Sequence, residues 1–465
     1  MNKLTIFIIA CILLLKQSAV AQFSTVSPIM PLPVSTDTKD KPQSKLWQHD
    51  GKYWGVFTNQ AGTHVWRLDG NSWTKILTIS SSVNARADCK VSGNLVHILL
   101  FRKSTSYLVT VEYNPKNGTY ELWSELSARV PLNLHPAAET ATIDIDSEGR
   151  MWLVSDTYST ITVSWSDFPY VNWSLPIEIA SGVSLDDIGA VIAFPMFKKI
   201  GVFWSDQNTK RFGFKMHTDG DDPAAWSNNE LPSSQTAIDL NGGMADDHMN
   251  MTLSSNGTLY CAVKTSYDQI GYPRLALLVR RPSGTWDNLY EVSQAGTRGI
   301  ALLNEEFGKL RIVYSSSEDG GDILYRESAT EKIAFGPPQV LIKGQYLNHS
   351  TTMKANNGRN AIIVASDTAA VVGVLVSDKI EPTLAASPNP FHASSTIYFT
   401  SPVTGSYAVH VYNMTGRRVN TIRSGYARAG EKLVADLNAD QLPAGIYILR
   451  LEIEGHNRTL KIIRN

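Results

Sequence analysis

The chain has 465 residues, with 42 lysines and arginines against 43 aspartates and glutamates and a formal net charge of -1. Basic residues are not clustered, so we expect neither nucleic acid nor an anionic membrane surface as a partner. The three cysteines form no disulfide framework and no metal-ligand spacing, and we predict no metal and no other cofactor.

The N-terminus has the pattern of a secretory signal peptide over residues 1–21. Lys3 precedes the apolar run from Leu4 to Leu15, and Ala19-Val-Ala21 has the small-x-small form of a cleavage site. The run is too short to span a bilayer comfortably, and no later stretch is long and apolar enough, so we expect no transmembrane segment. The mature chain is predicted to begin near Gln22 and to be exported.

Only Cys89 and Cys261 remain after that cleavage. Each lies in a strand-like run, so we expect two buried thiols. A disulfide between them would require that the fold bring the two strands together.

Seven β-prone runs organise the middle of the chain, residues 44–377. Each follows a glycine or small polar residue, and their starts lie about 40 to 60 residues apart, which is typical of propeller blades. They begin at Gly51, Gly93, Gly149, Lys199, Gly257, Gly308 and Gly358. We predict an all-β fold, a seven-bladed β-propeller of four-stranded blades. Six or eight blades would also fit, since residues 22–43 could close the ring by adding a strand to the last blade.

Two tryptophan-bearing turns, Ser164–Trp173 and His217–Trp226, are similar to the Asp-box, the Ser-x-Asp-x-Gly-x-Thr-Trp turn of sialidase-like propellers. An Asp or Ser in such a turn caps the backbone while the Trp packs between blades. The resemblance implies the sialidase-like propeller fold. It does not imply the activity, since neither copy is complete and only Arg86 and Arg298 are obvious members of a sialidase arginine triad.

The last residues contain ordered motifs: Ser387-Pro-Asn-Pro-Phe, then Tyr407–Gly416, Leu442–Leu451 and Thr459–Arg464. Together they resemble the type A C-terminal sorting domain of the type IX secretion system of Bacteroidetes. The resemblance implies the type IX machinery as a partner through residues 387–465, and release or attachment outside the outer membrane. The alternation of apolar residues and the turns independently predict a small immunoglobulin-like β-sandwich after a linker at 378–386.

Charged residues recur shortly before the seven β-prone runs. Because the innermost strands of a propeller start around one axial mouth, we expect these side chains to converge there, with Glu139, Asp186 and Asp187 at equivalent positions. The predicted catalytic residues are His248, Asp247 and Tyr267, and the predicted substrate-binding residues are Arg86, Asp88, Arg298, His349 and Lys264.

These residue types suit an acidic sugar. The planar fork of an arginine matches a carboxylate or sulfate, and a histidine oriented by a carboxylate can act as general acid or base. Propeller-type polysaccharide lyases use a histidine and a tyrosine as base and acid on a uronate neutralised by an arginine; His248, Tyr267 and Arg298 could supply these roles, but no motif shows that they do. The alternative is that Arg86–Asp88 and Arg298–Asp247 are ion pairs tying adjacent blades, with His349 a structural histidine.

We therefore expect a monomeric extracellular protein that binds or degrades acidic polysaccharide at the propeller axis. As an enzyme it would be a glycoside hydrolase or a polysaccharide lyase. The alternative is a non-catalytic surface propeller that binds glycan or protein.

Overall fold

The computed structural model describes residues 23–39, 42–354, 358–367, 369–379, 382–440 and 442–465. The expected signal peptide, residues 1–21, lies outside them. The described residues form 34 strands and two short 3₁₀ helices, Pro195–Phe197 and Ser234–Thr236. None of the helices described is long and apolar enough to cross a membrane.

Antiparallel sheets form the first three blades. Blade one contains β2 (Leu46–His49), β3 (Lys52–Asn59), β4 (Gly62–Asp69) and β5 (Ser72–Ser80). Blade two contains β6 (Arg86–Ser92), β7 (Leu95–Phe101) and β8 (Ser106–Asn114), with β9 (Thr119–Leu122) and β10 (Val130–Leu132) both paired to β8. Blade three contains β11 (Ala141–Ile145), β12 (Met151–Asp156), β13 (Thr160–Ser166) and β14 (Ile177–Ser181).

Blades four to six continue the ring. Blade four contains β15 (Gly189–Phe194), β16 (Lys199–Asp206) and β17 (Arg211–Thr218). Blade five contains β18 (Met249–Leu253), β19 (Leu259–Lys264), β20 (Leu275–Arg280) and β21 (Tyr290–Ser293). Blade six contains β22 (Thr297–Asn304), β23 (Lys309–Ser315), β24 (Gly321–Ala329) and the first part of β25 (Gln339–Thr351).

The two ends of the propeller chain meet in blade seven. It contains the second part of β25, β26 (Asn360–Ser366), β27 (Ala370–Ser377) and, from the N-terminus, β1 (Thr25–Pro33). β1 pairs antiparallel with β27 from Thr25 opposite Ser377 to Pro33 opposite Ala370. A bridge between Leu46 and Met353 joins blade one to blade seven. The seven-bladed propeller is therefore confirmed, although blade four has three strands and blade two has five, in place of the four predicted for each blade.

Short glycine turns and packed aromatic rings shape the blades. Gly149 and Gly257 have φ angles of 85° and 86°, which L side chains rarely adopt, and they turn the chain from the inner to the second strand of blades three and five. Trp226, from one Asp-box-like turn, packs edge-on against Trp152 of blade three, with ring centroids 5.6 Å apart. Apolar clusters of this kind fill the spaces between neighbouring blades. Cys89 and Cys261 are buried free thiols.

The C-terminal domain is a two-sheet sandwich. One sheet has β28 (Thr383–Ser387), β29 (Ser394–Thr400) and β32 (Lys432–Asn438), and the other has β31 (Arg418–Ala427), β30 (Gly405–Asn413), β33 (Gly445–Ile453) and β34 (His456–Arg464). Alternate residues of β32 are exposed and buried, as a strand with one solvated face requires. Ile397, Val409 and Leu449 are fully buried between the sheets. The predicted sandwich is confirmed.

Candidate functional site

The inner strands of neighbouring blades lie side by side around the central channel. Because each blade begins with its inner strand, the residues preceding these strands surround one end of the channel, which we call the strand-start mouth. Most of the predicted site residues lie there, and they fall into two groups. One group surrounds Glu318 and the other surrounds Asp37.

His248 is held by the two carboxylates that precede it. Its Nδ1 atom lies 2.6 Å from Oδ1 of Asp246 and also contacts Oδ1 of Asp247. When Nδ1 carries the proton and donates it to a carboxylate, Nε2 keeps a free electron pair. Nε2 is buried and has no hydrogen-bond partner within the described part of the chain. A buried polar atom left in this way is uncommon and calls for an explanation.

Glu318, in the loop between β23 and β24, is surrounded by cations. Its Oε1 atom lies 3.0 Å from Nζ of Lys264 and 3.5 Å from Nε of Arg274, and its Oε2 atom lies 3.7 Å from Nη1 of Arg298. Lys264 also contacts Oδ2 of Asp246 at 3.1 Å, which links Glu318 to the His248 group.

The electrostatics of this group follow from its pairing. Burial raises the pKa of Glu318, but the hydrogen bond and charge of Lys264 outweigh burial and hold this pKa below its ordinary value, with a further contribution from His248. Burial lowers the pKa of Lys264, but the carboxylates of Asp246 and Glu318 outweigh it, so this pKa is raised. Both shifts favour the ionised pair.

Arg86 and His349 meet a different carboxylate. Nε of Arg86 lies 3.5 Å from Oδ1 of Asp37, and Nε2 of His349 lies 3.9 Å from Oδ2 of the same residue. Both ion pairs considered from the sequence are replaced: Arg86 pairs with Asp37 in place of Asp88, and Arg298 pairs with Glu318 in place of Asp247.

Two predicted residues do not join either group. Asp88 is fully buried and accepts hydrogen bonds from the backbone N–H groups of Ser44 (2.8 Å) and Ile143 (2.9 Å) and from Nζ of Lys354 (2.5 Å). These donors belong to blades one, three and seven, so Asp88 ties neighbouring blades together. A ligand cannot reach it without breaking those bonds.

Tyr267 is 2% exposed and packs in the core shared by blades four and five. Its hydroxyl accepts from the backbone N–H of Ile238 at 3.4 Å, and burial raises its pKa. The preceding residue, Ser266, donates to Asp246 at 3.1 Å. The chain thus presents Ser266 to the His248 group, and the next side chain points into the core.

Three carboxylates from different blades converge near His248. Single oxygen atoms of Glu139, Asp186 and Asp247 all lie within 4.8 Å of one another. Asp247 is buried, Glu139 half-buried and Asp186 exposed. These three, and separately the set Asp246, Asp247 and His248, are spaced so that they could hold a cation.

The comparisons with known proteins concern both domains. Residues 386–465 match the family model described as the secretion system C-terminal sorting domain. The C-terminal domain is a sorting domain. The predicted export signal is confirmed, and it indicates a protein that leaves the cell or is attached to its surface. No curated protein matches the sequence.

Solved structures similar to the chain share the propeller. A polysaccharide lyase, an ulvan lyase bound to -[GlcA(1-4)Rha3S]-, has a TM-score of 0.50 and 9% identity, covering 75% of this chain and 96% of its own. The polysaccharide lyase Uly1 has a TM-score of 0.48 and 8% identity, covering 77% and 100%. An α-L-arabinanase of Penicillium chrysogenum has a TM-score of 0.38 and 11% identity, covering 66% and 100%. At these identities the likeness concerns the fold.

Proposed function

We propose that the strand-start mouth binds a uronate-bearing polysaccharide and cleaves it by abstracting a proton from the uronate. The observation that carries the proposal is the convergence of Lys264, Arg274 and Arg298 on one carboxylate, that of Glu318, to which His248 is linked through Asp246 and Lys264. Three cations around a carboxylate are a binding site for that group, whether it comes from the protein or from a substrate.

A substrate carboxylate can replace that of Glu318. The Glu318 side chain is 38% exposed, and its ion pairs are all with side chains. Lys264 is 12% exposed and also held by Asp246, so the cation stays in place when its partner changes. The exchange conserves charge at the mouth and therefore avoids stranding a buried cation.

The chemistry follows from what lies beside the exchanged carboxylate. The proton on the carbon next to a carboxylate becomes more acidic when cations neutralise that carboxylate, because negative charge develops there as the proton leaves. When Nδ1 of His248 carries the proton, Nε2 has a free electron pair that can accept the proton of the uronate, and the Asp246 and Asp247 carboxylates stabilise the imidazolium that forms. The electron pair of the broken C–H bond then forms a C=C bond, the C–O bond on the adjoining carbon breaks, and the imidazolium of His248 returns its proton to the leaving oxygen, which cleaves the glycan chain.

Two exposed tyrosines accompany the loops that carry the site carboxylates. Tyr158 is 65% exposed, and its ring packs against that of His135, with ring centroids 4.8 Å apart. His135 lies in the loop that leads to Glu139. Tyr346, 64% exposed, lies with its backbone against Gly320, two residues from Glu318. Exposed aromatic rings beside a polar cluster are suited to stack on sugar rings. The ulvan lyase with the same fold is described as bound to a uronate-containing unit, which supports this substrate class.

A glycoside hydrolase is the second candidate, and the cluster of Glu139, Asp186 and Asp247 favours it. Hydrolysis of a glycosidic bond needs two carboxylates in different environments, one as acid and one as base or nucleophile. The graded burial of these three groups supplies such a difference.

The experiment is a polysaccharide screen with the mature chain. Ulvan, alginate, polygalacturonate and a neutral arabinan are incubated with protein, and three readouts are taken: ultraviolet absorbance of unsaturated uronates, new reducing ends, and retardation in affinity gels. Unsaturated products from a uronate polymer support the proposal. Reducing ends without that absorbance support the hydrolase, retardation without products indicates a binding module, and no response from any uronate polymer contradicts the proposal.

A further inference from the structure

A cavity of about 550 Å³ occupies the other half of the central channel. Its lining comes mainly from the later residues of the inner strands, such as Lys90 of β6, Asp144 of β11 and Leu253 of β18. It therefore lies beyond Asp88 as seen from the strand-start mouth, and its residues play no part in the proposed cleavage. We call it the strand-end cavity. Its volume lies within the range of small-molecule sites, roughly 300–1,000 Å³.

The lining combines apolar and polar side chains. Ile192 of β15 and Met251 and Leu253 of β18 are partly exposed apolar side chains. Lys90, Asp144 and Lys354 are the charged residues of the lining. A ligand that fills the cavity must therefore offer an apolar face and a hydrogen-bonding edge.

The charged residues of the lining form two ion pairs that leave some lysine donors unused. Nζ of Lys90 contacts Oδ1 of Asp144, whose Oδ2 accepts the backbone N–H of Ala193 at 2.8 Å. Nζ of Lys354 donates to Asp88 and to the backbone carbonyl of Ile143, both at 2.5 Å. An ammonium group has three N–H donors, so Lys354 keeps one and Lys90 keeps two for a ligand.

The charge balance decides between a charged and a neutral ligand. Each lysine already faces one carboxylate, so an anion or a cation brought into the cavity would gain no unmatched counter-charge for its lost hydration. A hydroxyl group both donates and accepts, and neighbouring hydroxyls can accept from an ammonium and donate to the carboxylate beside it. The sugar ring that carries these hydroxyls can then place its C–H groups against Met251 and Leu253.

We infer that the strand-end cavity is a binding site for a neutral sugar unit, such as a hexose, a deoxyhexose or a pentose. The inference does not depend on the uronate site, since it uses other residues at the other end of the channel. It gives the propeller a second glycan contact, so that one chain could hold a polysaccharide at the mouth and a neutral sugar at the opposite face.

The test uses the mature chain and ligand-observed NMR with galactose, rhamnose and xylose as probes, followed by calorimetry. We expect at least one of the three to bind with millimolar affinity. Lys90→Met removes the donors and should weaken that binding at least tenfold. Leu253→Trp places a larger side chain in the cavity and should abolish that binding. Lys116→Met, at an exposed surface lysine, is the matched control and should leave it unchanged.

Galacturonate separates the two sites, because it differs from galactose by a carboxylate. Lys90→Met should remove the galactose signal and leave a galacturonate signal from the strand-start mouth. Thermal melting shows whether the variants fold. If Lys90→Met does not fold, Leu253→Trp still tests the inference. The inference is overturned if none of the three neutral sugars binds the wild-type chain, or if binding survives both substitutions.

Discussion

Asp88 and Glu318 are both carboxylates that face cations in the channel, but they are held in different ways. Asp88 is fully buried, and two of its three donors are backbone N–H groups from neighbouring blades. Glu318 is 38% exposed on its side chain, and its ion pairs come from side chains alone. Asp144 follows the first pattern, since it accepts the backbone N–H of Ala193.

The kind of donor that holds a carboxylate indicates whether its role is structural or a ligand can replace it. A backbone N–H group moves only with its strand, so a carboxylate that satisfies two of them cannot leave without opening the interface between blades. A cationic side chain can keep its place and accept a different carboxylate. In this propeller, the origin of the donors therefore distinguishes carboxylates that hold the ring closed from those that a ligand can replace.

The largest effect is expected at the strand-start mouth. His248→Ala removes the proposed base and should lower turnover of a uronate polymer about 10²- to 10⁴-fold, while affinity for the polymer changes little. The measurement is the initial rate of unsaturated product against retardation in affinity gels. His392→Ala, at an exposed histidine of the sorting domain, is the control. Equal loss of affinity and rate would instead identify His248 as a binding residue.

The next largest effect tests the other side of the comparison. Asp88→Ala leaves the N–H groups of Ser44 and Ile143 without an acceptor and Lys354 without its carboxylate, and should lower the free energy of unfolding by about 3–5 kcal/mol. Urea titration and thermal melting measure it. Asp167→Ala, at a carboxylate 63% exposed in its pair with Arg150, should cost at most about 1 kcal/mol. If the two variants melt alike, the backbone-held carboxylate is not a structural tie.

The fold could be predicted from the sequence because its signals are local and repeated. Glycine turns such as Gly149 and alternating strands such as β32 fix the blades and the sandwich by rules that need no long-range knowledge. The convergence of His248, Lys264 and Arg298 at one mouth could also be expected, since each lies at or directly beside a strand end there.

What could not be predicted depends on which atoms meet across blades. Glu318 lies in a loop between the second and third strands of blade six, away from the residues preceding inner strands, although such loops reach the same mouth. Asp246 could simply cap a turn as far as the sequence shows, and Asp37 comes from the N-terminal segment. Asp88 is indistinguishable from a ligand-binding carboxylate until the strands that donate to it are known. Tyr267 carries no sign in the sequence that it faces the core.

The buried side chain of His97 makes the stability of the propeller depend on pH. His97 donates or accepts at Thr110, 2.9 Å away, and packs edge-on against Tyr170. Burial, with the charge of Lys90, lowers its pKa from the ordinary 6.5 to about 4. Below pH 6.5 the unfolded chain therefore protonates His97, whereas the folded protein does so only near pH 4. The contribution of His97 to the free energy of unfolding is fully present above pH 6.5 and falls by at most about 3 kcal/mol as the pH is lowered towards 4.

The measurement is the free energy of unfolding between pH 7 and pH 4 for the wild type and His97→Gln. We expect a shallower fall in the variant. His392→Gln, at an exposed position, should reproduce the wild-type slope. An unchanged slope in His97→Gln would show that other groups dominate acid unfolding.

The smallest effect is also the most specific to the proposed exchange. Glu318→Gln removes the charge that competes with a substrate carboxylate for Lys264, Arg274 and Arg298. Because the glutamine keeps the size of the side chain, the fold should be nearly unchanged, and affinity for a uronate polymer should rise several-fold, less than the tenfold that corresponds to about 1.4 kcal/mol. Affinity for neutral arabinan should not rise, which excludes a general effect of charge removal. The exchange mechanism fails if uronate affinity falls, because Glu318 would then contact the ligand directly or position the cations for it.

Arg298→Ala completes the test of the exchange. It removes a cation and should weaken uronate binding about ten- to a hundredfold, so Glu318→Gln and Arg298→Ala should change affinity in opposite directions.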